Sequence, residues 1–166
     1  TQADVLTRHI SKSGMQMLRS IPDEEEVEFN RAHLETLCEN MLKNADLNHG
    51  GFGTAPKFPQ TMSLQYLLMY DHFFSNEKAR DHALNSLRQM CRGGIYDHLS
   101  GGFARYSTDT KWLAPHFEKM LYDNALLVAV ISEAYQSTQK NRYREVIAET
   151  IDFIKNELTH EKGGFY

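Results

Sequence analysis

Helical segments of two kinds alternate along this chain, and the alternation restricts it to layered all-α architectures. In Asn30 to Ala45 the apolar residues Leu34, Leu37, Cys38, Met41, Leu42 and Ala45 recur at three- and four-residue spacing, the pattern of a one-faced helix. Lys78 to Arg92 repeats it with Ala83, Leu84, Leu87, Met90 and Cys91. Arg142 to Leu158 repeats it with Tyr143, Val146, Ile147, Ile151, Ile154 and Leu158. Between these lie Met62 to Phe74 and Pro115 to Tyr135, apolar nearly all round and therefore expected to be enclosed by other helices. An outer ring alternating with an inner ring gives this order. Thr1 to Ser20 is expected to add a further helix, with Leu6, Ile10, Met17 and Leu18 on one face.

Each amphipathic segment runs into Gly-Gly and an apolar residue: Gly50-Gly51-Phe52, Gly93-Gly94-Ile95 and Gly163-Gly164-Phe165. Glycine adopts the left-handed conformation that ends a helix. Termination does not explain the residue that follows, and Gly101-Gly102-Phe103 adds another copy inside a loop, so a repeated unit is indicated. The third amphipathic segment's copy is followed by no enclosed helix. The expectation is a single fragment over residues 1–166, the first half of an (α/α) barrel, with uncovered inner-helix surface.

Composition closes off several classes. The chain is 41% hydrophobic and 24% charged, ordinary for a globular protein. No apolar run approaches the roughly 18 residues that cross a bilayer, and Thr1 to Ser20 does not read as a signal peptide, so a cytoplasmic location is expected. Eighteen basic residues against 22 acidic ones give a net charge of −4 without a basic cluster, which argues against nucleic acid as a partner. Cys38 and Cys91 fall on apolar stripes and are expected as buried thiols, giving neither a redox motif nor a zinc site. No cofactor is expected.

The segment Gly93 to Ala114 is long for a connection between helices, and loops of that length are functional or disordered. Tyr96, Phe103, Tyr106 and Trp112 give it too much to bury for disorder. Phe103 to Tyr106 alternates and is expected to pair with Ile95-Tyr96 as a short β-hairpin. Pro115 suits a first helical turn, and helical spacing from there puts His116, Lys119 and Asp123 on one face with Glu118 and Tyr122 beside it. Ionisable groups at the mouth of a buried helix must be paired, hydrated or shifted in pKa. They could be a knot in which Glu118, Lys119 and Asp123 pair with Arg105 and Lys111. The other reading is a pocket where His116 and a carboxylate exchange protons with a ligand stacked on Trp112 and Tyr122. No metal-ligand spacing, nucleophile elbow or phosphate loop is present. Lys57, between Ala55-Pro56 and Phe58-Pro59, reads either as a cation presented to a pocket or as part of a packed turn.

The stretches GGFGTAPKFP and GGIYDHLSGGFARYSTDTKWLAPHFEKMLYDNALL strongly resemble the YyaL-type family of spermatogenesis-associated, thioredoxin-domain-containing proteins. The match is dense from Gly50 to Leu127. Ala104 stands where the family's pattern has His, and Ser100 where it has Gly, which puts any chemistry of that His in doubt here. The resemblance implies an all-α partial (α/α) toroid of helical hairpins, similar to six-hairpin glycosidases and N-acylglucosamine 2-epimerase, with a thioredoxin-like domain elsewhere as a partner. It implies a sugar site on the rim of a central cavity. There His116 would act as general acid or base with Glu118 or Asp109. Lys57, Asp97, His98, Arg105, Tyr106, Trp112, Lys119, Tyr122 and Asp123 would contact the sugar. A carbohydrate-active or carbohydrate-binding toroid is the expectation; the other reading is a noncatalytic scaffold for the thioredoxin-like domain.

Overall fold

Among the described residues, 30–166 of this computed structural model, five helices follow one another: α1 (Arg31–Lys43), α2 (Thr61–Phe74), α3 (Glu77–Arg92), α4 (Leu121–Thr138) and α5 (Asn141–Glu157). They belong to the unit Ala32–Tyr166, apart from the first residue of α1; the helix expected over Thr1 to Ser20 lies outside the described residues. α2 ends at Ser75, whose N–H donates to the Asp71 carbonyl at 2.7 Å and whose left-handed backbone (φ 53°) then turns the chain out of the helix. Asn76 then caps α3 by accepting the Ala79 N–H at 3.0 Å. Gln139 turns α4 into α5 in the same left-handed way. Such short turns make α2/α3 and α4/α5 antiparallel hairpins.

α2 packs on both α3 and α4, and α4 packs on α5. The two nearly all-apolar helices therefore adjoin, with the amphipathic ones outside, which is the expected inner-and-outer order. Leu64 and Leu67 of α2, Leu87 and Met90 of α3, and Leu127 and Ile131 of α4 are at most 1% exposed. Each such side chain contributes roughly 1.5–3 kcal/mol through removal from water. The Tyr143 hydroxyl donates to the Leu84 carbonyl at 3.2 Å, tying α5 to α3. Enclosure is incomplete: Met62, Met69 and Phe73 on α2 are 64%, 51% and 69% exposed, and Leu34 and Leu37 on α1 are also open. Cys38 and Cys91 are buried free thiols, and burial pushes the Cys91 thiol up to about 12. No helix among the described residues is long and apolar enough to cross a membrane.

Two expectations about the connections are corrected. The true repeat is not the Gly-Gly pair at each helix end. Gly50-Gly51, Gly101-Gly102 and Gly163-Gly164 all have positive φ, whereas Gly93 and Gly94 do not. Gly93 and Gly94 are small for a different reason: a Cβ on either would fall within 2.5 Å and 2.1 Å of the Trp112 and Leu113 carbonyl oxygens. The helix expected from Pro115 also starts later, at Leu121. Residues Pro115–His116 form β2, antiparallel to β1 (Tyr106–Ser107), in the register Tyr106 with His116 and Ser107 with Pro115. Pairing across the long loop satisfies backbone groups that an early helix turn would have left open. Tyr96 and Phe103 do form the expected contact, as an isolated bridge rather than a hairpin strand pair.

Candidate functional site

Lys57 and Ser107 exchange two backbone hydrogen bonds, of 2.8 and 2.9 Å, so residue 57 runs alongside β1 while β2 runs along its other edge. Beyond the ladder, the Arg105 N–H donates to the Glu118 carbonyl at 2.8 Å. This backbone arrangement stacks side chains. Phe58 and Tyr106 lie with ring centroids 4.7 Å apart, and Tyr106 and His116 lie 4.7 Å apart at an interplanar angle of 15°. The result is a three-ring tier built from segments that are distant in sequence.

Charges border the tier. The Glu118 carboxylate lies 3.6 Å from the Arg105 guanidinium and 3.9 Å from His116 Nδ1, all three side chains being 40–47% exposed. Pairs this wet are worth about 0–1 kcal/mol, so they hold geometry weakly and leave the groups available to a ligand. Asp123, in the first turn of α4, differs. Its Oδ2 is buried and makes no hydrogen bond. Burial pushes its carboxyl above the ordinary value; the Arg105 charge pulls the other way and the Glu118 charge adds to the rise. Asp123, Phe58, Pro59 and the first turn of α2 through Ser63 line a cavity of about 310 Å³. Gln60, the α2 N-cap, has a left-handed backbone and makes no capping bond with its side chain.

Of the residues expected at the site, Arg105, Tyr106, His116, Glu118 and Asp123 come together here, and Tyr122 is nearby in sequence and 48% exposed. The helical faces assigned to His116 and Glu118 are wrong, because both precede α4 in extended chain. Six other expected site residues lie elsewhere or are committed to other partners. Lys57 is fully buried: its ammonium is 2.5 Å from Asp46, donates to the Thr110 carbonyl at 2.9 Å, and lies over the Trp112 ring. It presents no charge to a ligand. Trp112 is likewise 0% exposed, its indole N–H donating to the His49 carbonyl. Asp109 is committed to the backbone: burial opposes its ionisation, but N–H groups of Ala114, Lys111 and Leu113 outweigh this and hold the carboxyl low. Asp97 and Lys119 pair at 2.8 Å; that bond and the Leu99 and Ser100 N–H groups bring the Asp97 carboxyl down to about 2. His98 sits on the Gly93 carbonyl and beside Arg142, away from the tier.

Phe58, Gln60, Thr61 and Ser63 were not read as site residues. The only signal there is the pair Pro56 and Pro59 around Lys57 and Phe58, which reads either as a cation presented to a pocket or as part of a packed turn. Ala104, where the resemblance implies His, is 4% exposed and donates its N–H to the Ile95 carbonyl at 2.8 Å. Among the described residues no three His, Cys, Asp or Glu side chains converge as metal ligands would.

No protein-family model matches the chain. Curated relatives do. Spermatogenesis-associated protein 20 of mouse is 38% identical over 148 residues, covering 86% of this chain and 19% of its own. The human protein of that name is 42% identical over 140 residues, covering 81% and 18%. An uncharacterised protein of Caenorhabditis elegans is 32% identical over 166 residues, covering 95% and 23%. The chain thus spans about a fifth of the length of these relatives. Among solved structures, a sugar epimerase from a ruminal bacterium superposes with a TM-score of 0.68 at 14% identity, over 80% of this chain and 38% of that one. The cellobiose 2-epimerase of Spirochaeta thermophila gives 0.64 at 22% identity, over 82% and 40%. These likenesses establish the fold, a helical toroid, here present in part. Over the segment it covers, this chain belongs to the family of spermatogenesis-associated protein 20.

Proposed function

We propose that the segment supplies one wall of a sugar-binding cavity in which protons are exchanged with the bound sugar. The observation that carries this is the Asp123 carboxyl. It is raised by burial, it lines the cavity, and it lies close enough to Arg105 and Glu118 for their charges to act on it. A carboxyl that holds its proton longer than its neighbours is suited to donate to a sugar oxygen. The His116–Glu118 pair would accept a proton in return. Phe58 and Tyr106 offer ring faces of the kind that stack on a pyranose, and about 310 Å³ is at the lower end of small-molecule sites. Fold neighbours named as a cellobiose 2-epimerase and a D-mannose isomerase support a sugar as the ligand class.

The test uses the full-length protein with a panel of mono- and disaccharides, read by thermal shift and by interconversion of isomers. Binding by the unaltered protein that Tyr106→Ala weakens, with turnover that Asp123→Asn abolishes, is the expected result. No shift and no turnover with any sugar would overturn the reading. A second reading, a rim that binds the thioredoxin-like domain expected in the full-length protein, is favoured by Phe117 and Leu113. These are 86% and 70% exposed on the extended chain that includes β2. Under it, Phe117→Ser would release that domain and leave sugar binding unchanged.

A further inference from the structure

Asp46 and Asp97 organise their loops with the same set of bonds. The Asp46 Oδ1 accepts the N–H groups of Asn48 and His49 at 3.0 and 2.9 Å, and the Asp97 Oδ1 accepts those of Leu99 and Ser100 at 2.9 and 3.1 Å. The other carboxylate oxygen of each takes a lysine from further along the chain. Lys57 lies 2.5 Å from Asp46, and Lys119 lies 2.8 Å from Asp97. Each ammonium also donates to a backbone carbonyl, that of Thr110 at 2.9 Å and that of Gly101 at 2.8 Å. Each lies over an aromatic ring, Trp112 for Lys57 and Phe153 for Lys119. The same latch is thus built twice.

Closing such a turn does not require the lysine. The Asp46 and Asp97 N–H groups donate to the Gly51 and Gly102 carbonyls, both at 2.9 Å. The loop after α5 makes the corresponding bond from the His160 N–H to the Gly164 carbonyl at 3.0 Å. There His160 Nδ1 accepts the Lys162 N–H in place of a carboxylate oxygen, and no carboxylate is present to draw a lysine. The lysines therefore serve something other than the turn.

What they share is their neighbours. Lys57 precedes Phe58 of the ring tier, and Lys119 follows Glu118, the carboxylate beside His116. In extended chain, successive side chains point to opposite sides. Lys57 is fully buried and Phe58 is 43% exposed; the Lys119 side chain is 20% exposed and that of Glu118 47%. Fixing each lysine inward fixes the direction of the side chain next to it. We propose that Asp46 and Asp97 are positioning residues of the site: Asp46, through Lys57, aims the Phe58 ring, and Asp97, through Lys119, aims the Glu118 carboxylate. The roles of ring and carboxylate rest on the sugar-site reading; the aiming itself does not.

The test uses the full-length protein, cellobiose and D-mannose as probes, and the variants Asp46→Asn and Asp97→Asn. Each variant keeps the shape of the side chain and removes the charge that draws the lysine. Assays are run well below the Tm of each. Asp46→Asn is expected to raise KM about 10-fold with kcat nearly unchanged, because a misaimed ring stacks poorly. Asp97→Asn is expected to lower kcat about 10-fold with KM nearly unchanged, since misplacing a reacting group by about 1 Å can cost about 100-fold. In the sugar-free protein labelled at Phe and His, NMR should show the Phe58 ring signals moving in Asp46→Asn and the His116 signals moving in Asp97→Asn. Variants that change KM and kcat alike, or that leave these ring signals in place, would overturn the proposal. If the unaltered protein turns over neither sugar, the sugar reading falls and the ring signals alone decide the latches.

Discussion

The imidazole of His116 lies flat on the phenol ring of Tyr106, 4.7 Å between centroids and 15° between planes, because the two are cross-strand partners of the two-residue ladder. The pair sets the position of the imidazole without any strong ion pair. Cross-strand pairs of this kind are worth about 0.2–1 kcal/mol. His116→Phe is therefore expected to keep the stack and the stability of the full-length protein within about 0.5 kcal/mol, while removing proton exchange. His116→Ala should lose both. Chemical denaturation alongside a turnover assay separates the two; equal activity in wild type and His116→Phe would remove the imidazole from the mechanism.

Asp123 makes stability depend on pH in a known direction. Its folded pKa is raised by burial, so the folded state holds the proton more tightly than the unfolded chain. Its contribution is present below the unfolded value of about 3.9 and is lost as pH rises through the folded value. Asp123→Asn should abolish that part of the decline and be at least as stable as wild type at pH 8. Tm measured from pH 4 to pH 8 checks this, and parallel curves for the two proteins would contradict it.

Asp97 has the opposite sign. Its carboxyl is held at about 2, first by the Lys119 hydrogen bond, so its contribution is present above about 3.9 and lost as pH falls toward 2. Asp97→Asn should be less stable at neutral pH and should show a shallower loss of Tm between about pH 4 and 2 than wild type.

Breaking the buried pair of Lys57 and Asp46 leaves an uncompensated carboxylate that is mostly enclosed. Lys57→Met should cost about 3–5 kcal/mol in urea denaturation of the full-length protein. A loss below about 1 kcal/mol would mean that the pair is not closed off in solution.

Asn124 is fully buried and clamps both backbone groups of Phe103, accepting its N–H at 2.7 Å and donating to its carbonyl at 3.1 Å. Asn124→Leu keeps the volume but strands two buried polar groups, at about 1–3 kcal/mol each. The long loop should loosen first, visible as faster amide exchange at Phe103 than in α4.

Much of the helical frame was legible in the sequence. The spacing of Leu84, Leu87, Met90 and Cys91 against the unbroken apolar run of α2 separated outer from inner helices, because burial on one face or on all faces leaves a periodicity in the chain itself. The density of ionisable residues after Gly93 also marked the long loop that carries β1 and β2. What the residues do there was not legible. Lys57, Asp97 and Lys119 look like Arg105, Glu118 and Asp123 in a list of side chains, yet the first three are bound into ion pairs that hold the loops, while Arg105 and Glu118 stay half-exposed and Asp123 lines a cavity. Only contacts between Lys57 and Thr110, or Phe58 and Tyr106, distinguish them, and such pairs lie some 50 residues apart. The late start of α4 was decided the same way. Pro115 and His116 carry an acceptable helix start locally, but β1 offered them hydrogen bonds, and paired backbone outweighed local propensity. The sequence determined which segments are helical and which faces they bury. The tertiary structure decided which charges are spent on holding the loops and which stay uncommitted, because that depends on neighbours that meet only after folding.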